Sequence, residues 1–261
     1  MDLGLTGGTA IVTGATGGIG RAIVAALVAE GMAVVVNHLG DAEAAAAICA
    51  DVEAAGGRAL AVEADVGDAA AVDAMVAATV ETFGGLDLMV HNAGITTRQS
   101  ILDTPPADWD RVVRTNFYGA YHTAAAAGRV MSAAGRGGAI VAISSLHGRI
   151  AKGDMGAYCA TKAAIDMLVK QLAVELAPAG IRVNAVAPGT IDTPMNPIYH
   201  ATDPDSVAKR QRLMDRVPMA RLGDPAAVGS TVAFLASPVA SYTTGAVVYV
   251  DGGYTADGTP R

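Results

Sequence analysis

Tyr158 and Lys162 stand four residues apart in a stretch with helical spacing, so both project from one face. A phenol and an ammonium in that relation can move a proton, because a nearby cation favours the phenolate. Tyrosine ionises near pH 10 in water, and service as a base at pH 7–8 requires a fall of about 2–3 units, roughly 3–4 kcal/mol. One desolvated cation helped by a second positive charge could supply that. Ser145 follows a short apolar run and offers a hydroxyl to hold a substrate oxygen and stabilise developing charge. No Gly-x-Ser-x-Gly elbow surrounds it and no placed acid–His pair accompanies it, which argues against covalent hydrolysis. Spacing alone would also allow Tyr158 and Lys162 to be a surface helix pair. The choice between the two turns on what precedes them.

Residues 13–20 read Thr-Gly-Ala-Thr-Gly-Gly-Ile-Gly, directly after the apolar run Thr9–Val12 and directly before a helical pattern over Ile19–Glu30. Gly14, Gly18 and Gly20 permit a tight turn and close approach of backbone N–H groups to phosphate, with the following helix start accommodating its charge. Gly14, Thr16, Gly18, Ile19 and Gly20 are therefore expected to cradle a dinucleotide pyrophosphate. Asp65, followed by Val66, ends a third apolar run and could bind an adenine amino group; as a helix cap it would need no ligand. Asn92-Ala93-Gly94 brings small backbone to the same place after a fourth run. Nicotinamide cofactors are distinguished at the end of the second strand, which here reads Asn37-His38-Leu39. It carries neither an acid to reject a 2'-phosphate nor an arginine to welcome one, and Gly17 adds no cation. NAD is the expected cofactor, with NADP use open.

Positioning such groups takes a βαβ series. Strands are expected at Thr9–Val12, Met32–Val36, Ala59–Glu63, Leu88–His91, Ala139–Ser144, Ile181–Val186 and Val247–Val250. Helical spacing covers Ile19–Glu30, Asp41–Ala55, Ala69–Phe83 and Ala157–Leu176. Another helix carries Trp109, Val112 and Val113 on one side and continues through Asn116 to Met131. The rhythm predicts an α/β fold: a single Rossmann-type domain over 1–261, with a parallel seven-stranded sheet and helices on both faces. From Thr190 to about Gly223 the rhythm breaks, with Pro194, Pro197, Pro204 and Pro218 and an amphipathic stretch around Val207–Val217. An insertion after a parallel strand sits where open sheets bind ligands, so 190–223 is expected to be a substrate lid. A surface excursion or a subunit contact would explain it too.

The 261 residues are 52% hydrophobic, enough for one sizeable core. A net charge of −7 argues against a nucleic-acid surface. Cys49 and Cys159 show neither metal-ligand spacing nor a disulfide framework. No signal peptide opens the chain, and every apolar run is broken well before about 18 residues, so a cytoplasmic protein without membrane or nucleic-acid partners is expected.

These residues together resemble the short-chain dehydrogenase/reductase family over about residues 5–253. The motifs are Thr13-Gly14-(x)3-Gly18-Ile19-Gly20, Asn92-Ala93-Gly94, Asn116-(x)2-Gly119, Ser145, Tyr158-(x)3-Lys162 and Pro188-Gly189. The resemblance implies a homodimer or homotetramer and a catalytic tetrad of Asn116, Ser145, Tyr158 and Lys162. Ser145 is chosen over Ser144 because the family's serine usually lies thirteen residues before its tyrosine. By the same likeness Tyr158 is the acid/base, and Lys162 binds the nicotinamide ribose and lowers the Tyr158 pKa. Asn116 would hold a relay water. Pro188 and Gly189 would lie beside the nicotinamide, with Ile191 backbone at its carboxamide and Thr193 at the diphosphate. His91 stands where the family usually has asparagine and is read as structural. Within the family the chain looks most like bacterial glucose 1-dehydrogenases, through Val34–Asn37, Ser144-Ser145-Leu146-His147, Ile191-Asp192-Thr193-Pro194 and a tail beyond Gly253. Ser145 and His147 match that subgroup's sugar contacts, whereas its glutamate is Thr96 here and its arginine after Asn-Tyr is Leu39. The expected substrate is therefore a sugar, polyol or secondary alcohol, or the corresponding ketone. A 3-oxoacyl-carrier-protein reductase shares every motif, and Arg129 and Arg136 hint at the basic surface it would need. A cofactor-bound protein without activity is the remaining alternative.

Overall fold

A computed structural model describes residues 2–194 and 199–256. Seven strands form one wholly parallel sheet: β1 (Thr9–Val12), β2 (Ala33–His38), β3 (Ala59–Glu63), β4 (Leu88–His91), β5 (Gly138–Ile143), β6 (Ile181–Pro188) and β7 (Val247–Val250). Their spatial order is β3-β2-β1-β4-β5-β6-β7, with every neighbouring pair parallel. The chain leaves β1 toward one edge and returns to β4 on the other side. The carboxyl ends of β1 and β4 thus border the switch point where such sheets open a crevice.

Because strand side chains alternate, each strand feeds two cores. Ala10, Val12, Val34, Val36, Val141 and Ile143 pack on one face against α1 (Gly18–Ala29), α2 (Ala42–Ala54) and α8 (Pro225–Ala236). Ile11, Val35, Met89, Ile140 and Ala142 face α3 (Ala69–Phe83), α5 (Gly119–Ala134) and α6 (Gly156–Leu176). The near-continuous apolar strands follow from this burial on both sides. β2 and β6 each run two residues beyond the expected ends, carrying Asn37, His38 and Pro188 into the sheet.

Two elements differ from expectation. The helix predicted to continue through Asn116 comprises α4 (Pro106–Val113), a π-helical turn at Arg114–Tyr118, and α5. Sequence reading also assigned nothing to 224–236, where α8 forms. Asp224 caps it through the Ala226 N–H at 2.8 Å, proline opens its first turn, and it packs closely on α1 at Gly229. A Cβ there would lie 3.2 Å from Ala26 Cβ.

The expected lid spans described and undescribed residues, and 195–198 lie outside the described ones. Its base is closed: Asp192 donates to the Gly223 carbonyl and Gly223 to that of Thr190, each at 2.9 Å. Between them α7 (Pro204–Met214) buries only Met214. Among the described residues no helix is long and apolar enough to cross a membrane.

Candidate active site

The glycine turn is built by packing on both sides. Gly14 has φ +57°, and a Cβ on it would lie 3.0 Å from Ala93 Cα. A Cβ on Gly18 would meet Thr193 Cγ2 at 2.9 Å, so Thr193 lies over the start of α1. That start has Gly17 as its N-cap and no side chain capping it. The Thr13 hydroxyl accepts from the Asn92 and Ala93 N–H groups at 2.9 and 3.0 Å. In return the Asn92 amide donates to the Thr13 and Gly14 carbonyls at 3.0 and 2.9 Å. From the other side buried Asn37 accepts from the Gly14 N–H at 3.3 Å and donates to the Ala64 carbonyl at 3.1 Å. The Asn37 and Asn92 side chains thus hold the turn, while the expectation at Asn92-Ala93-Gly94 concerned its backbone. His38 is buried, and its Nδ1 has no partner among the described residues.

At the end of β3 the Asp65 carboxylate accepts from the Gly67 N–H at 2.8 Å and pairs with Arg114 at 3.5 Å. Capping of α3 falls to Asp68, which accepts from Ala70 and Ala71, so the capping explanation of Asp65 is excluded. Val66 is buried, and its carbonyl bonds His122 Nδ1 at 3.0 Å.

Opposite the turn, Tyr158 and Lys162 face a crevice of about 490 Å³ that is continuous with Gly14, Gly18 and Ile19. Ser145, at the end of β5, lies near enough to the Tyr158 phenol to favour its ionised form and accepts from the His147 N–H at 3.1 Å. Ser144 instead donates to the Lys162 carbonyl at 3.4 Å, within α6. Burial raises the Tyr158 phenol above its usual 10, and Ser145 only partly opposes this. Lys162 Nζ donates to the Ile143 carbonyl at 2.7 Å and sits 5.5 Å from the centre of the Tyr158 ring. Burial takes the Lys162 ammonium down to about 8, against the pull of Asp166 one turn onward. Asp166 was not foreseen from sequence. Its i, i+4 spacing from Lys162 was the available signal.

Asn116 lies in the π-helical turn and is fully buried. Its side-chain amide clamps Ile95, accepting from the N–H at 2.8 Å and donating to the carbonyl at 3.0 Å, and also reaches Thr161 at 3.1 Å. His91 Nε2 donates to the Asn116 carbonyl at 3.2 Å. This pins the tautomer, and burial lowers His91 to about 3, so the ring is neutral. The Asn116 carbonyl also accepts from the Gly119 N–H, so both of its lone pairs are engaged within the fold.

At the end of β6, Pro188, Gly189, Ile191 and Thr193 all line the crevice. The bridge between Ile191 and Gly223 uses the neighbours of Ile191, which leaves the Ile191 N–H and carbonyl directed away from Gly223. Thr96 also lines the crevice, its hydroxyl donating to the Thr97 carbonyl at 3.2 Å. His147 donates through Nδ1 to the Ile150 carbonyl at 3.0 Å, and burial lowers its pKa, so Nε2 is an acceptor. Among the further lining residues not identified from sequence are Tyr199, Leu213, Arg216 and Tyr254. They come from the insertion and the tail, and Arg216 lies 5.2 Å from the Tyr254 ring centre. No short-range motif marks them.

The profile of a family described as enoyl-(acyl carrier protein) reductase matches residues 14–255. The chain is 44% identical to an L-rhamnose 1-dehydrogenase (NAD(P)(+)) from Azotobacter vinelandii, over 94% of this chain and 95% of that one. It is 40% identical to the 3-oxoacyl-(acyl-carrier-protein) reductase FabG of Staphylococcus aureus, over 94% of this chain and 97% of that one. A solved short-chain type dehydrogenase/reductase from Mycobacterium marinum superposes with a TM-score of 0.87 at 36% identity, covering 97% of each chain.

Proposed function

Because the chain belongs to the short-chain dehydrogenase/reductase family and is an NAD(P)-dependent oxidoreductase, we propose that it oxidises the anomeric hydroxyl of a neutral sugar. The observation that carries this is one crevice shared by the glycine turn, the Ser145–Tyr158 pair and a neutral histidine acceptor, His147. The residues suit a dinucleotide. A side chain on Gly14 or Gly18 would close the cradle, and α1 opens without a side-chain cap. When bound, the cofactor supplies the hydride acceptor. Gly14, Thr16, Gly18, Ile19, Gly20 and Thr193 hold its diphosphate. Asp65 and Val66 flank the adenine, and Gly94, Pro188, Gly189 and Ile191 enclose the nicotinamide end.

Ser145 orients the substrate hydroxyl, and Tyr158 takes its proton. Lys162 holds the ribose, and Asn116 steadies the Ile95 loop beside it. Thr96 and His147 face the sugar, and Tyr199, Leu213 and Arg216 of the insertion cover it. L-rhamnose is the first sugar to test, through the likeness to the Azotobacter enzyme. The chain assembles as a homotetramer, which covers the exposed Tyr121, Met167 and Val174 of α5 and α6, and Phe234 and Tyr242 around α8 and the following loop. Light scattering during size-exclusion chromatography should give four times the chain mass.

The test is a panel of aldoses and polyols with NAD+ or NADP+, and of ketones with NADH or NADPH, read at 340 nm. Oxidation of an aldose is expected, and inactivity on all aldoses overturns the sugar reading. A second reading is carried by the 40% likeness to the Staphylococcus reductase. Reduction of an acetoacetyl thioester, faster than any sugar oxidation, would establish it instead.

A further inference from the structure

We propose that Tyr199 donates a hydrogen bond to a substrate hydroxyl other than the reacting one, and that Arg210 and Asp192 are the positioning residues that hold Tyr199 there. This rests on the sugar reading of the crevice and deepens it: the site selects a substrate with a second hydroxyl, which a simple secondary alcohol or an acyl chain lacks. Tyr158, Tyr199 and Tyr254 all line the crevice. Tyr158 serves the reacting oxygen, and the Tyr254 ring is occupied by Arg216. Tyr199 is only partly exposed, and among the described residues its hydroxyl has no hydrogen-bond partner. Burial pushes its phenol above the usual 10, with Arg98 opposing and Asp192 adding to the rise. The group is therefore protonated at neutral pH and is a donor. His147, from the segment after β5, presents an acceptor at Nε2. One donor and one acceptor from separate segments match two hydroxyls of a sugar ring.

Tyr199 is tied from both ends of the insertion. Half-buried Arg210 of α7 donates through Nη1 to the Tyr199 carbonyl at 2.7 Å and to the Ala201 carbonyl at 3.2 Å. Hydrogen bonds from a guanidinium are of the stronger kind, and together these two fix the backbone on either side of His200. At the base, His200 Nε2 lies 3.1 Å from Asp192 Oδ1, an oxygen closed off from solvent. Asp192 is itself anchored through its N–H to the Gly223 carbonyl at 2.9 Å. Arg210, His200 and Asp192 do not line the crevice, so they act on a ligand through Tyr199.

Steady-state kinetics with an oxidised aldose, alongside calorimetry with NAD+, test this. Tyr199→Phe is expected to raise KM about three- to tenfold, the worth of one hydrogen bond between neutral groups, with kcat and the NAD+ dissociation constant changed less than twofold. Monodeoxy analogues of that aldose locate the contact. The analogue lacking the hydroxyl read by Tyr199 should be insensitive to Tyr199→Phe, while the others keep the full loss. Arg210→Ala should raise KM by a similar factor, but by less than twofold on top of Tyr199→Phe, because both act on one contact. Arg210→Lys should recover part of the loss, and Asp192→Asn should repeat the Arg210→Ala pattern more weakly. An unchanged KM in Tyr199→Phe, or an equal loss with every deoxy analogue, overturns the proposal while sugar oxidation stands. Additive effects of Arg210→Ala and Tyr199→Phe overturn the positioning role. Inactivity of the unaltered protein on every aldose overturns the sugar reading and this proposal with it.

Discussion

Tyr158 is harder to ionise in this protein than in water. Its ring is buried, and the Lys162 ammonium donates to the Ile143 carbonyl. Under the proposed mechanism the charge that brings the phenol into a working range comes from the bound oxidised cofactor together with Lys162. Tyr158→Phe keeps the ring in place and should leave dinucleotide affinity nearly unaltered while lowering kcat at least about 100-fold. Turnover within a few-fold of the parent would remove Tyr158 from the acid–base role. Lys162→Ala should weaken dinucleotide binding and turnover together, as read by calorimetry and initial rates. An intact dissociation constant would contradict the ribose contact. The tyrosine–lysine spacing was plain in the sequence, yet the direction of Nζ was not, because it depends on a carbonyl of another element.

At the scale of elements, the π-helical turn at Arg114–Tyr118 places Asn116 between the Ile95 loop and α6. A helix with unbroken 3.6-residue periodicity would rotate this side chain elsewhere. Asn116→Ala deletes three hydrogen bonds and strands the partly buried Ile95 backbone groups, so it should cost about 2–3 kcal/mol in chemical denaturation. Cofactor binding should loosen with it. A stability loss below about 0.5 kcal/mol would show that Asn116 is not the clamp. Sequence pattern could suggest a helix there but could not reveal the extra residue in one turn, because the apolar positions on either side still read as one face. Likewise α8 begins with a legible Asp224-Pro225 start, but its role depends on a partner, α1, two hundred residues away.

For the whole molecule, two buried bases tie stability to pH. His91 falls from 6.5 to about 3 on folding, and Lys162 from 10.5 to about 8. In each case the unfolded chain binds more protons between the two values, so stability rises with pH across that window. The His91 penalty is absent above 6.5 and complete below 3. The Lys162 penalty is complete below 8 and relieved as pH climbs toward 10.5. The melting temperature of the parent should thus fall as pH drops from 6.5, whereas His91→Asn should follow a shallower acid limb; identical slopes would assign the acid sensitivity to other groups. The alternation of strands and helices, the glycine turn and the reactive pair were all readable from the chain, since periodicity and local spacing depend on neighbours in sequence. Tertiary structure alone decided that Asp41 reaches Thr16, that Asn37 and Asn92 are consumed in holding the turn, and that Tyr199, Arg216 and Tyr254 join the crevice. Each of those facts is a meeting of atoms from distant segments, governed by how the sheet twists and how closely the helices pack, and no local pattern encodes such distances.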